Sequence, residues 1–290
     1  MCVLSIALYS FFYERSSLLW LILVAIVSTT VLILDSYPWL LFITLLLIPL
    51  LFKKISYTQL IITLLFSTIL LVFSSMSIFS EYIKVYSPWT LTLFLIPLCI
   101  LAINGIFQNN LKRYLVYSNT IQTALILVDL FAAKMAGKTS ILWAIQTLNY
   151  IIAGLLFFLT LGILSKNYKR KKISNLRGSY MRNRIITICM VLAALSLAGI
   201  PGLNLFVTEW FLFTLTYTID PAITILTIFL SLLLFLMYSK VIYTAVIGES
   251  RVKEYVPMVL TLLNVGLVVA CIIFGLVPHT QFFILRGLTR

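Results

Sequence analysis

Glu209 lies eight residues beyond Pro201 in Ser196–Phe211, SLAGIPGLNLFVTEWF, and of the chain's eight acidic residues it sits deepest in apolar sequence. An ionisable side chain inside a membrane-length apolar segment is costly and points by default to an ion or proton pathway. Upstream of it, Pro201 lacks a backbone N–H and clashes with the preceding helical turn, while Gly199 and Gly202 allow a sharp turn beside it. The carbonyls so released need water or polar neighbours, because lipid offers no donors. A carboxyl next to such a break suits a group that takes up and releases a proton. The alternative is a structural glutamate that pairs with a lysine or caps a neighbouring helix. On a continuous helix Glu209 would lie about 12 Å beyond Pro201, still at bilayer depth.

Other polar residues are placed where the same chemistry could use them. Lys112 and Arg113 open an apolar stretch, and Ser118, Asn119, Gln122 and Thr123 follow one to two turns inside it. Groups at that depth need either neighbouring helices or hydrated space. Asp129, further along, is expected near the opposite interface, sharing a surface with Lys134. In QTLNYIIAGLLFF, the residues Gln146, Asn149, Tyr150 and Gly154 share one helical face. That face either buries against a bundle or lines a polar path. Lys240, in LMYSKVIY, is either a partner for Glu209 or a side chain that snorkels to a nearby basic interface. Cys2, Cys99, Cys189 and Cys271 are scattered without CxxC spacing, and His279 is the only histidine, so a metal site is not expected. Nothing resembles a phosphate loop, a nucleophile–base pair or a cofactor site.

The elements carrying these residues follow from composition. Hydrophobic residues make up 62% of the chain and charged residues 10%, with a mean hydropathy of +1.13. A soluble domain carries roughly 25% charged residues, so this is an all-α, polytopic membrane protein. About nine spans are read near 17–35, 37–52, 57–79, 88–108, 113–133, 140–165, 184–215, 222–247 and 256–277. The apolar segment 2–12 is too short to cross. The net charge of +13 is distributed as a membrane protein requires and not as a nucleic-acid binder would have it. With alternating spans, one side collects Arg15, Lys53, Lys54, Lys112, Arg113, Arg251, Lys253 and eight basic residues of the 166–184 loop. The other side has Lys84, Lys134, Lys138, Arg286 and Arg290. This positive-inside bias marks the first side as cytoplasm or matrix. Its loop charges suit anionic lipid head groups or acidic loops of a partner.

LKRYLVYSN, QTLNYIIAGLLFF, ISNLRG and LSLAGIPGLNLFVTEWF, in that order, resemble the antiporter-like subunits of respiratory complex I, membrane-bound hydrogenases and multisubunit cation/proton antiporters. Leu111-Lys112-Arg113 and Tyr117-Ser118 match the family's K-R-x-L-A-Y-S-S helix start, and Leu195–Pro201 match its broken helix. The resemblance covers roughly residues 85 to 275. It divides the chain into poorly matched N-terminal helices (1–85), an antiporter-like core (86–277) and a tail (278–290). Some features depart from the pattern. The family usually has lysine where Glu209 stands; glutamate there is typical of the subunit 4 type. The helix two spans earlier often reads N-H-x-x-x-K, and here Tyr150 and Gly154 occupy the histidine and lysine positions. Tyrosine without the lysine is most similar to NADH dehydrogenase subunit 2.

The resemblance implies two inverted five-helix repeats within about fourteen spans, so nine spans suggest a shortened subunit or one whose N-terminal helices are encoded separately. It implies a proton-translocating membrane-arm subunit with redox chemistry in other subunits and no cofactor here. Glu209 would titrate at one end of a hydrated axis, with Lys240, Asn149, Tyr150, Ser118 and Asn119 as neighbours or water anchors. The implied partners are other membrane-arm subunits and lipids, and a separate N-terminal chain if those helices are encoded apart. The implied location is the mitochondrial inner membrane, with a prokaryotic plasma membrane as the alternative. The rival expectations are a structural spacer that keeps the fold without a working channel, and a subunit 4-like, membrane-bound hydrogenase or cation/proton antiporter subunit.

Overall fold

Polar residues set where the apolar stretches begin. Asn110 Oδ1 accepts from the amides of Lys112 and Arg113 at 3.0 and 3.4 Å. Asn183 Oδ1 accepts from Ile186 at 3.1 Å. Asp220 accepts from Ala222 at 2.8 Å, with Pro221 in the first helical position, where its missing N–H costs nothing. The computed structural model describes residues 88–136, 142–166, 172–248 and 255–280, together with the helical residues Tyr57, Ile61, Leu64, Leu65 and Thr68. The spans read at 17–35 and 37–52, the segment 2–12 and the last ten residues lie outside the described residues.

The described elements are α1 (Pro88–Phe107), α2 (Leu111–Met135), α3 (Leu142–Leu164), a 3₁₀ turn (Ile173–Leu176), α4 (Ser179–Arg182), α5 (Arg184–Leu197), α6 (Asn204–Ile219), α7 (Pro221–Val246) and α8 (Met258–Leu276). Among them α2, α3, α7 and α8 are each long and apolar enough to cross a membrane. The stretch read as one span over 184–215 is two helices, and the second runs on to Ile219. It stops there because Asp220 turns extended to cap the next helix.

Packing gives each helix its place. α3 is almost wholly buried and packs against α2, α5, α6 and α8, so it is the central helix. α8 is mostly exposed, with Val259, Leu262, Val269 and Ile273 facing outward, as suits a lipid-facing surface. α7 lies along α1, where a Cβ on Gly105 would come within 2.6 Å of Met237 Sδ.

The basic side is tied together by backbone and arginine contacts. Ile173 N donates to Asn109 O at 2.9 Å, and Gly178 N to Ile247 O at 3.0 Å. These bonds seat the 172–183 segment across the α1–α2 turn and the end of α7. Buried Arg182 donates to the carbonyls of Asn175 and Arg177 at 2.9 and 3.2 Å and to Ser179 Oγ at 3.0 Å. A guanidinium can be buried here because its donors meet fixed acceptors.

Candidate functional site

α5 stops at Leu197, and the chain turns through Gly199 (φ +68°) and Gly202 (φ +91°) before α6 starts at Asn204. Both angles lie in the left-handed region, which L side chains rarely adopt. The turn frees carbonyls and amides inside the bundle, and neighbouring helices satisfy them. Gln122 Nε2 of α2 donates to Leu197 O at 2.9 Å. Asn204 and Asn149 form a reciprocal pair: Asn204 Nδ2 donates to Asn149 O, and Asn149 Nδ2 to Asn204 O, each at 3.0 Å. Asn204 Oδ1 is also bonded to the Ser196 hydroxyl. One side chain thus ties α6 to the end of α5 and to the central helix. Replacing Asn149 by Leu should leave the Asn204 backbone carbonyl without its Nδ2 donor and lower stability by about 1–2 kcal/mol. Because each bond runs from a side chain to the other residue's backbone carbonyl, the double change Asn149→Leu with Asn204→Leu should cost close to the sum of the two single losses, as read by thermal unfolding in detergent.

Glu209, six residues into α6, is buried, and its carboxyl folds back onto Gly199. A methyl on Gly199 would run into Glu209 Oε2 and Cδ. Ser231 of α7 donates to Oε2 at 2.8 Å, while Oε1 has no hydrogen-bond partner among the described residues.

Polar groups continue from here toward the basic side. The Tyr238 hydroxyl bonds Ser118 Oγ at 2.7 Å. Tyr150 Oη donates to Asn119 Oδ1 at 2.6 Å. Thr68 Oγ1 reaches Asn119 Oδ1 at 3.3 Å and Thr123 Oγ1 at 2.9 Å. Asn119 Nδ2, Gln122 Oε1 and both polar atoms of Gln146 are buried without a partner among the described residues. Native interiors seldom leave such atoms bare, and ordered water is the usual occupant.

Of the residues singled out from sequence, Ser118, Asn119 and Tyr150 join this polar course, through Tyr238 and Thr68. Asn149 sits at the break, bonded to Asn204. Lys240 lies apart: its Nζ donates to Ile106 O and Gln108 O at 2.7 Å each, closing the C-terminus of α1. It is nine residues past Ser231, about 13 Å along α7, because its long stem reaches carbonyls at the basic end instead of the carboxyl. Asp129 is not at a surface: it is 1% exposed, and both its oxygens lack partners among the described residues. The C-terminal half of α2 packs into the bundle instead of emerging from it. At Gly154, the Tyr150 ring lies 3.3 Å from where a Cβ would stand, so tyrosine fills the space a side chain there would take. Asn204, Ser231 and Tyr238 were missed from sequence. Asn204 follows the break directly and was the legible one; the other two are ordinary polar residues of a long apolar helix.

The fold and the site define a polytopic integral membrane helix bundle with a discontinuous helix and a buried polar axis. Residues 54–236, well over half of the chain, match the family described as NADH:quinone oxidoreductase/Mrp antiporter, TM, and the chain belongs to that family. It is 27% identical over 192 residues to NAD(P)H-quinone oxidoreductase subunit 2 of Synechococcus sp., covering 61% of this chain and 36% of that protein. It is 27% identical over 201 residues to NADH-quinone oxidoreductase subunit N of Desulforamulus reducens, covering 67% of this chain and 41% of that one. The chain therefore spans less than half the length of these relatives. Its fold is similar to a chain of respiratory complex I from Thermus thermophilus, with a TM-score of 0.60, 19% identity and coverage of 76% of this chain and 50% of that one. It is also similar to a chain of the Mrp complex from Dietzia sp., with a TM-score of 0.66, 15% identity and coverage of 78% and 52%.

Proposed function

We propose that this chain is a proton-translocating membrane-arm subunit of a complex I-like assembly, subunit 2-like, whose redox chemistry belongs to other subunits. The observation that carries the reading is Glu209: a carboxyl buried at a helix break, one oxygen held by Ser231 and the other open. The run through Tyr238, Ser118, Asn119 and Tyr150 supplies hydroxyls and amides that can hold water toward the basic side. The partners are other membrane-arm subunits, and the outward apolar side chains of α8 meet lipid. The location is an energy-transducing membrane. The family resemblance favours the mitochondrial inner membrane, whereas the relatives named above are bacterial and favour a plasma membrane.

The second reading, a structural spacer, is favoured by Gly154, which brings no lysine to the position where the family often has one, and by the Tyr150 ring that fills the space. Glu209→Gln in the assembled complex, reconstituted in vesicles, separates the two. Removing a positioned proton carrier slows transfer by about a hundredfold, so the protons moved per electron should fall while assembly is retained. Unchanged electron transfer together with an unchanged proton-to-electron ratio selects the spacer.

A further inference from the structure

We infer that Asp129 is a second proton-carrying carboxyl, linking Glu209 to the face opposite the basic loops; this rests on the proton-translocating reading of Glu209. The register of α2 against α6 places it there. Ala132 and Ala133 pack with Leu215 near the far ends of the two helices. Leu215 lies six residues past Glu209, about 9 Å along α6, whereas Ala132 and Ala133 lie three and four past Asp129, about 4.5–6 Å along α2. Asp129 is therefore about 3–4.5 Å beyond Glu209 along the bundle, less than one helical turn, toward the non-basic face. The side of α2 agrees. Gln122, which meets the break at Leu197 O, is two turns before Asp129, and Ala133 is one turn after it, so all three share a stripe. Its Gln122 end meets the end of α5, and its Ala133 end meets α6.

The environment of Asp129 is not that of a structural carboxylate. A buried carboxylate kept for stability is paired or accepts several hydrogen bonds, since leaving it bare is expensive. Both oxygens of Asp129 lack partners among the described residues, as do Glu209 Oε1 and Gln122 Oε1 nearby. Water joining these atoms would satisfy them and give a proton a route. The step is a simple transfer. The Glu209 carboxylic acid loses its proton and becomes a carboxylate; the Asp129 carboxylate gains one through water and becomes the acid, then releases it to the non-basic face. Only O–H bonds break and form, and no electron moves.

The test uses the assembled complex in vesicles and compares Glu209→Gln, Asp129→Asn, Asp129→Glu and the Gln/Asn double variant for protons moved per electron. Two carriers in series predict that Asp129→Asn lowers the ratio to the value of Glu209→Gln, that the double variant is no lower, and that Asp129→Glu restores most of it. A normal ratio in Asp129→Asn beside a lowered one in Glu209→Gln overturns the role of Asp129 and leaves that of Glu209 standing. A normal ratio in Glu209→Gln overturns the underlying reading. Should Asp129→Asn fail to assemble, the wild-type complex decides. An apolar carbodiimide, which attacks protonated carboxyls in membranes, should yield peptide adducts at both Asp129 and Glu209. An adduct at Glu209 alone counts against Asp129.

Discussion

Gly199→Ala should be among the most damaging single changes in this chain, lowering stability by about 2–5 kcal/mol. Two independent costs add. The backbone at 199 has φ +68°, where an L residue costs about 1–2 kcal/mol. The added methyl also enters the space of the Glu209 carboxyl, and overpacking of this kind costs about 1–3 kcal/mol. The two parts can be separated because only the second depends on Glu209. In a cycle with Glu209→Ala, Gly199→Ala should recover about 1–3 kcal/mol of its loss, while the backbone share persists. Thermal unfolding of the detergent-solubilised complex reads the stability. Full additivity of the two changes would mean that the carboxyl does not rest on Gly199. A second consequence follows from the same contact: Gly199→Ala should also lower proton transfer, because Glu209 must swing away from Ser231 to make room.

Gly275→Ala should be of similar size for a different reason. A Cβ at 275 would lie 2.5 and 2.6 Å from the carbonyl carbon and Cα of Leu203 and would also strike the carbonyl oxygen of Gly202. All three are backbone atoms of the break, so no side-chain rotation relieves the clash. α8 must move outward or the turn must deform, at a cost of about 3 kcal/mol. Unlike Gly199→Ala, this loss should not be recovered by shortening Glu209. A variant with wild-type thermal stability would show that α8 does not seat directly on the turn.

Much of the architecture was legible from residue types alone. Hydropathy fixes where helices cross, since lipid tolerates only apolar segments with internally paired backbones. The spans read at 88–108, 113–133, 140–165, 222–247 and 256–277 therefore fall close to α1, α2, α3, α7 and α8. Proline and glycine have strictly local effects, so Gly199, Pro201 and Gly202 announced the break without any tertiary information. The motif order from Leu111 to Phe211 was enough for the family, because spacing across several helices is a far narrower constraint than any one helix.

Which polar side chains meet was not legible, because one-dimensional spacing says nothing about how a turn folds back or how helices slide past one another. On a straight helix Glu209 lies far from the break; the left-handed turns at Gly199 and Gly202 instead bring its carboxyl against Gly199. Lys240 is close to Glu209 by its place on the next helix, yet the register of α6 against α7 presents Ser231, leaving the lysine to the end of α1. Asp129 reads as interfacial by its nearness to Lys134 in sequence, but the fold buries it. By itself the sequence determined that a carboxyl stands beside a helix break in a membrane protein of this family. Only the tertiary structure decided its neighbours, Ser231 and Gly199, and buried a second carboxyl, Asp129, on α2.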